Sequence, residues 1–203
     1  NGLFYLYLEA WSYTMDWDRV KKSRSFQNGA LTYMEVAQRV LSGYGQSGVT
    51  DHATGGACNP EFLLQYEESD WVFLRRLASH FGTYLLADAT DACGKVYFGI
   101  PEISYGTVLD RQDYTMEKDM LHYARVLEKE GVLSQEASCW NVMVRFFLRM
   151  GETLTFNGIE AVVTAMRLHT EKGELVYSYV LARRAGIRRE KEKNPGIFGM
   201  SIP

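Results

Sequence analysis

The sequence predicts an α+β fold rich in β-strands, and three observations predict it. Two stretches, Thr32 to Gly43 and Ser69 to Gly82, carry apolar residues at helical spacing behind a side chain able to cap a helix. From Trp140 to Ala182 apolar and polar residues alternate and tight-turn signals recur, the mark of short antiparallel strands forming a small barrel. The composition supplies a core: 46% of the 203 residues are hydrophobic, and 13 Tyr, 10 Phe and 4 Trp describe a globular chain, not a disordered one. That length accommodates one large or two small domains.

Leu3 to Ser12 alternates as a strand, with Phe4, Leu6 and Leu8 on one face. Thr32-Tyr33-Met34-Glu35 has capping-box spacing, and Tyr33, Val36, Ala37, Val40 and Leu41 then follow along one helix face until Gly43. Ser42 to Pro60 is polar and Gly-rich and reads as a flexible loop; it lacks the Lys-Ser/Thr that a phosphate-binding loop requires. Phe62 to Glu67 is a short strand. Ser69 caps the next helix, with Asp70 at the positive end of its dipole. Trp71, Leu74, Ala78 and Phe81 form its apolar stripe, Phe73 and Leu77 widen it, and Arg75, Arg76 and Ser79 fall on the wet face. Gly82 ends the helix, and Thr83 to Ala87 is a strand.

Asp91-Ala92-Cys93-Gly94 is a hairpin turn into Lys95 to Gly99, and Pro101 ends that strand. The pattern from Ser104 to Glu130 is weak; Met120 to Leu127 fits a strand or a short helix equally, and Gly131 to Ser138 is a loop. Trp140, Val142, Val144, Phe146 and Leu148 alternate with polar or second-face residues. Gly151-Glu152 turns the chain into Thr153 to Phe156. Asn157-Gly158 is a strong two-residue hairpin signal, because both positions tolerate positive φ. Ile159 to Leu168, the Lys172-Gly173 turn and Glu174 to Ala182 complete the meander. Arg183-Arg184, Arg188-Arg189, Lys191 and Lys193 form a basic run diluted by Glu190 and Glu192, which reads as a solvated linker. Asn194 to Pro203 opens on Asn-Pro-Gly and is expected to leave as an extended segment.

Net charge is −3, so the molecule as a whole is not built to hold polyanions, and the basic run has no nucleic-acid motif or stacking pattern with it. No window approaches the apolar length of a membrane span. Asn1-Gly2-Leu3-Phe4-Tyr5 has no initiator Met and reads as the middle of a strand, so we expect a fragment of something longer. Cys58, Cys93 and Cys139 are not clustered and read as free, mostly buried thiols. His52, His80, His122 and His169 are equally scattered, so no metal site is expected. The carboxylate pairs Asp16/Asp18, Glu67/Glu68 and Asp110/Asp113 sit in no catalytic motif, and Asp51-His52 has no nucleophile motif beside it.

The particular letters carry more than their periodicity. Gln65-Tyr66, Ser69-Asp70-Trp71, Phe73-Leu74, Arg76-Leu77-Ala78 and Gly82-Thr83-Tyr84 resemble, in order, a segment of the VgrG and phage late control protein D family. Upstream, Arg24-Ser25-Phe26-Gln27 leads into the Thr32 to Glu35 helix start, as in that family. Gly173, Leu175 and Tyr179 match the family's final strand. The family motif positions here are therefore Arg24, Phe26, Gln27, Thr32, Glu35, Gln65, Tyr66, Ser69, Asp70, Trp71, Phe73, Leu74, Arg76, Leu77 and Gly82.

The resemblance implies a structural protein, the baseplate hub of a contractile phage tail, tailocin or type VI-like injection machine. It implies two small antiparallel β-barrel-type domains joined by amphipathic helices. Residues 1–50 would complete a first barrel with its helix, 51–193 would be the second barrel domain, and 194–203 a linker to a downstream barrel or spike. Implied partners are two further copies in a homotrimer, the tail tube protein, and spike and other baseplate proteins, with assembly in the bacterial cytoplasm. No cofactor, catalytic residue or specific nucleic acid is implied. Trp11, Trp17, Tyr33 and Phe147 are the aromatics considered for a subunit interface. A host-binding hub of a non-contractile phage and a cell-wall hydrolase domain are the alternatives.

Overall fold

The computed structural model describes residues 11–58, 62–91, 93–110, 112–171, 173–194 and 196. Most of the strand expected at Leu3 to Ser12 and most of the exit segment 194–203 lie outside them; Trp11 and Ser12, which are described, are not in a strand. After a 3-10 turn at Tyr13–Asp18 come β1 (Lys21–Phe26), α1 (Tyr33–Leu41), β2 (Gly48–Asp51), β3 (Leu63–Ser69), α2 (Asp70–Ser79), β4 (Leu85–Ala87) and β5 (Lys95–Phe98). Then follow β6 (Ile103–Leu109), β7 (Tyr114–Lys118), β8 (Ser138–Val144), β9 (Glu152–Phe156), β10 (Ile159–Glu171) and β11 (Glu174–Ala182). The result is the expected β-rich α+β fold.

The helix starts follow the sequence closely. Thr32 Oγ1 accepts the Glu35 N–H at 3.1 Å while Glu35 accepts the Thr32 N–H at 2.7 Å, which closes the capping box. All five residues of the expected α1 stripe are buried. These side chains pack with Trp17, Phe73, Leu74, Leu77, Val96 and Phe98 in one apolar core. This core draws on residues from both sides of position 50.

The Gly-rich stretch is not simply a loop. Within it β2 pairs in parallel with β5, and β5 pairs antiparallel with β4 through the expected hairpin. Val49 packs against the first core, so the glycines flank a strand instead of replacing one. The ambiguous stretch 120–130 is helical, capped by Asp119 Oδ1 accepting the His122 N–H at 2.8 Å.

The second core lies under a six-stranded sheet in the order β6-β9-β10-β11-β8-β7. Asn157 (φ 47°) and Gly158 (φ 76°) make the tight β9–β10 hairpin, with Phe156 opposite Ile159. β10 runs to Glu171, longer than expected, and a register shift between Val163 and Ala165 bends it. The sheet is rolled: Tyr114 of β7 meets Phe156 of β9 edge-on at 5.3 Å between ring centres. Among the described strands β6 and β7 do not pair with each other, so the roll is not closed by hydrogen bonds. A bulge between Ser104 and Val108, with Gly106 at φ 71°, interrupts β6.

Candidate functional site

The family motif folds into a buried ionic cluster. β1 and β3 pair antiparallel with Lys22 opposite Glu68 and Arg24 opposite Gln65. Two β3 residues, Tyr66 and Glu67, therefore oppose the single Ser23. Glu67 takes φ 47° at this bulge, and its N–H donates to Ser23 Oγ at 3.2 Å. Lys22 and Arg24, two apart on one strand, point to the same side. Gln65, fully buried, is turned towards them.

Asp70 sits where these side chains converge, and it has no exposed surface. It accepts from Lys22 Nζ at 2.6 Å, Tyr44 Oη at 2.6 Å and Gln65 Nε2 at 2.9 Å, and pairs with Arg24 Nη2. Gln65 is itself saturated, taking Arg24 Nε–H at 2.9 Å and donating to the Glu68 carbonyl at 2.9 Å. Burial pushes the Asp70 carboxyl up. The hydrogen bonds from Lys22, Tyr44 and Gln65 and the charge of Arg24 outweigh it, so its pKa falls below the usual carboxylate range. The bond to Asp70 likewise holds Lys22 above the usual lysine range. The dipole role expected for Asp70 is minor beside this; its carboxylate joins four other side chains.

Arg76 is a correction. The helix stripe places it on the wet face, yet its side chain is 8% exposed. It grips Glu68 with both arms, Nε to Oε1 at 2.9 Å and Nη2 to Oε2 at 2.8 Å, and also donates to the Leu64 carbonyl at 2.7 Å. Its guanidinium lies over the Phe73 ring. Ser79, also expected wet, is buried and accepts the Glu192 N–H at 2.8 Å. β3 and the chain after β11 cover that side of α2, which local periodicity does not register.

The remaining motif residues frame the cluster. Ser69 caps α2 by accepting the Val72 N–H at 3.2 Å and donates to Asp18. Phe26 stacks on Phe73, and Leu74 and Leu77 are fully buried. Trp71 lies against Trp17 at 6.4 Å between rings. Gly82, at φ 62°, ends the helix turn, and its carbonyl accepts the Arg189 N–H at 3.0 Å. Thr32 and Glu35 serve α1 alone. Gln27 is exposed and bonded only to Ser25, so the cluster does not include it. Tyr66 turns its ring outward, while its carbonyl accepts Asn194 Nδ2 at 2.8 Å. Sequence reasoning missed Lys22, Tyr44 and Glu68. Lys22 was legible from strand alternation with Arg24; Tyr44, beyond the end of α1, has no local signal.

The basic run is the second correction. It is a strap bonded along its length, not a solvated linker. Arg184 donates to the carbonyls of Ile100 (3.1 Å) and Pro101 (2.9 Å) and to Thr153 Oγ1 (2.9 Å). Arg183 pairs with Glu136 and Arg188 with Glu130, and Arg189 lies over Tyr84. The strap bears on His80, whose Nδ1 is 3.2 Å from Tyr33 Oη. Burial first, then the charges of Lys191 and Arg76, push the His80 pKa down to about 4.

Other candidates resolve locally. Asp51 closes a turn by accepting the Ala53 and Thr54 N–H groups, at 3.0 and 2.8 Å, which does not involve His52. The three cysteines are free, and Cys58 is exposed instead of buried. Trp17 and Tyr33 are core residues, 1% and 8% exposed, and are removed from the interface list; Trp11 and Phe147, at 66% and 46%, are not. Among the described residues no three His, Cys, Asp or Glu side chains gather as metal ligands, and no helix is long and apolar enough to cross a membrane.

Comparison with known proteins gives this cluster a family setting. The profile of the family described as phage tail baseplate hub (GPD) matches residues 3–99. No curated protein matches the chain. Among solved structures, the chain is similar to E. coli c3393, a component of the type VI secretion system described as structurally similar to the T4 bacteriophage tail proteins gp27 and gp5. The TM-score is 0.67 at 15% identity, over 90% of this chain and 57% of that one. It is also similar to the 43 kDa tail protein of prophage MuSo2 from Shewanella oneidensis, with TM-score 0.65, 12% identity and coverage of 89% and 71%. A third likeness is to a tail protein from Neisseria meningitidis MC58, with TM-score 0.56, 12% identity and coverage of 83% and 71%. The chain thus spans little more than half the length of the E. coli protein, 57%.

Proposed function

We propose that the chain, whose residues 3–99 match the phage tail baseplate hub (GPD) family, is part of the hub of a contractile injection machine. In this reading three copies join a sixfold tail tube to a threefold spike. The observation that carries it is the convergence of the motif: Arg24, Gln65 and Asp70 form one bonded network inside the matched segment, and Glu68 links it to Arg76. A motif folded into a saturated ionic cluster fits a scaffold. Asp70 has all its acceptor positions occupied by protein donors and is buried from any substrate, so we read it as a structural carboxylate and the chain as non-catalytic.

Each copy supplies two units in this proposal. The first core runs to Phe98 and the second begins at Leu109, so we place their division near Pro101 instead of at position 50. Partners are the tail tube protein, the spike and other baseplate proteins; assembly takes place in the bacterial cytoplasm, before the hub becomes part of the particle. Co-expression of the full-length gene product with the tube and spike proteins encoded beside it tests this. A stoichiometric complex with both is the expected result. A gene product that binds neither, or that releases sugar or peptide fragments from cell walls, overturns it.

A further inference from the structure

Where the outer face of the six-stranded sheet meets β4 and the strap, a cleft of about 330 Å³ opens to solvent. That volume is within the range of small-ligand sites. Leu86, Ile100, Val180, Ala182 and Ile187 give it apolar walls. Its lining also carries two carboxylates, Asp119 and Glu136, beside His122 and Tyr84. Glu136 is engaged by Arg183 Nη1 at 3.3 Å. Asp119 bonds only the His122 N–H, at 2.8 Å, and among the described residues has no ion-pair partner. On the cleft wall the Cys139 thiol is pushed up by burial, then by the charges of Glu117 and Asp119. The cleft is apolar inside and carries one carboxylate, Asp119, without an ion pair among the described residues.

We propose that this cleft receives an amphiphilic cation, the side chain of a lysine or arginine presented by an apolar segment of a neighbouring protein. The identity of the occupant as a protein rests on the reading of the chain as part of an assembly. The chemistry rests on the cleft. Methylene stems of such side chains lie along apolar walls while the charged head stays at the water boundary, and here that boundary holds an uncompensated carboxylate. An anion or a neutral apolar body leaves Asp119 without a partner.

Methyl-resolved NMR titration of the purified chain tests this with 4-phenylbutylamine, 4-phenylbutanol and 4-phenylbutyrate. Shifts centred on Val180, Ala182 and Ile187 are expected, with the amine binding about fivefold more tightly than the alcohol, the scale of one partly exposed ion pair, and the acid weakest. Asp119→Asn retains a capping side chain and brings the amine to the level of the alcohol. Ala182→Met fills the cleft and weakens all three probes. Equal binding of amine and alcohol, a preference that survives Asp119→Asn, or shifts centred elsewhere overturns the proposal. Because the probe needs no assembly partner, its failure removes the site and leaves the hub reading to the co-expression experiment.

Discussion

Asp70 is the residue on which the first core's polar interior depends. Removing it leaves Lys22 and Arg24 facing each other without an anion. Their side chains are 35% and 31% exposed, so both recover some water. Asp70→Ala is therefore expected to cost about 3 kcal/mol, the low end for breaking a buried pair, measured by urea unfolding at neutral pH. A cost under about 1 kcal/mol means the cluster is solvated. The pH dependence separates two groups. The Asp70 pKa is lowered on folding, so its contribution is complete above the unfolded carboxylate value of about 3.9 and is lost only as pH falls below that. The His80 pKa is lowered from 6.5 to about 4, so the unfolded chain takes up its proton first. Stability therefore falls as pH drops from about 6.5 to about 4, by up to roughly 3 kcal/mol. His80→Gln, which keeps an acceptor for Tyr33, is expected to flatten that window and leave the loss below pH 4 in place. An unchanged slope in urea midpoints across the window refutes the assignment.

At the scale of elements, α2 tests the packing. Leu74→Ala is expected to cost about 2–5 kcal/mol, since its side chain is fully buried. Arg76→Ala is expected to cost about 3–5 kcal/mol, because it strands Glu68 in a buried site. A small effect at Arg76 in thermal or urea unfolding returns it to the wet face. The strap offers a geometric test: a Cβ on Gly186 would stand 1.9 Å from the Glu136 carbonyl oxygen. Gly186→Ala must shift strap or loop, and lower stability by about 1–3 kcal/mol. What was legible in the sequence follows the same division. The α1 capping box, the Ser69 cap, the Asn157-Gly158 hairpin and the β11 limits depend on residues a few positions apart, and periodicity and turn chemistry found them. Arg76, Ser79 and the strap were misread because what covers them comes from far along the chain. β2 was hidden because its strand is four residues long and set among glycines. Asp70 stands in the motif that carries the resemblance, but its five-membered network depends on the β1–β3 bulge, which no local pattern announces.

At the scale of the whole molecule, the proposed hub makes the chain one part of a cyclic assembly. The six-stranded sheet leaves β6 and β7 as edges, and all five residues of β7 are exposed. Unprotected edges of this kind are commonly covered by a partner. A closed ring of three needs a heterologous interface, in which one patch meets a different patch on the neighbour. Trp11 and Phe147 are exposed aromatics available to such a contact. Multi-angle light scattering of the full-length gene product measures this directly. The account predicts a mass of three copies at micromolar concentration. A full-length protein that remains monomeric there contradicts it.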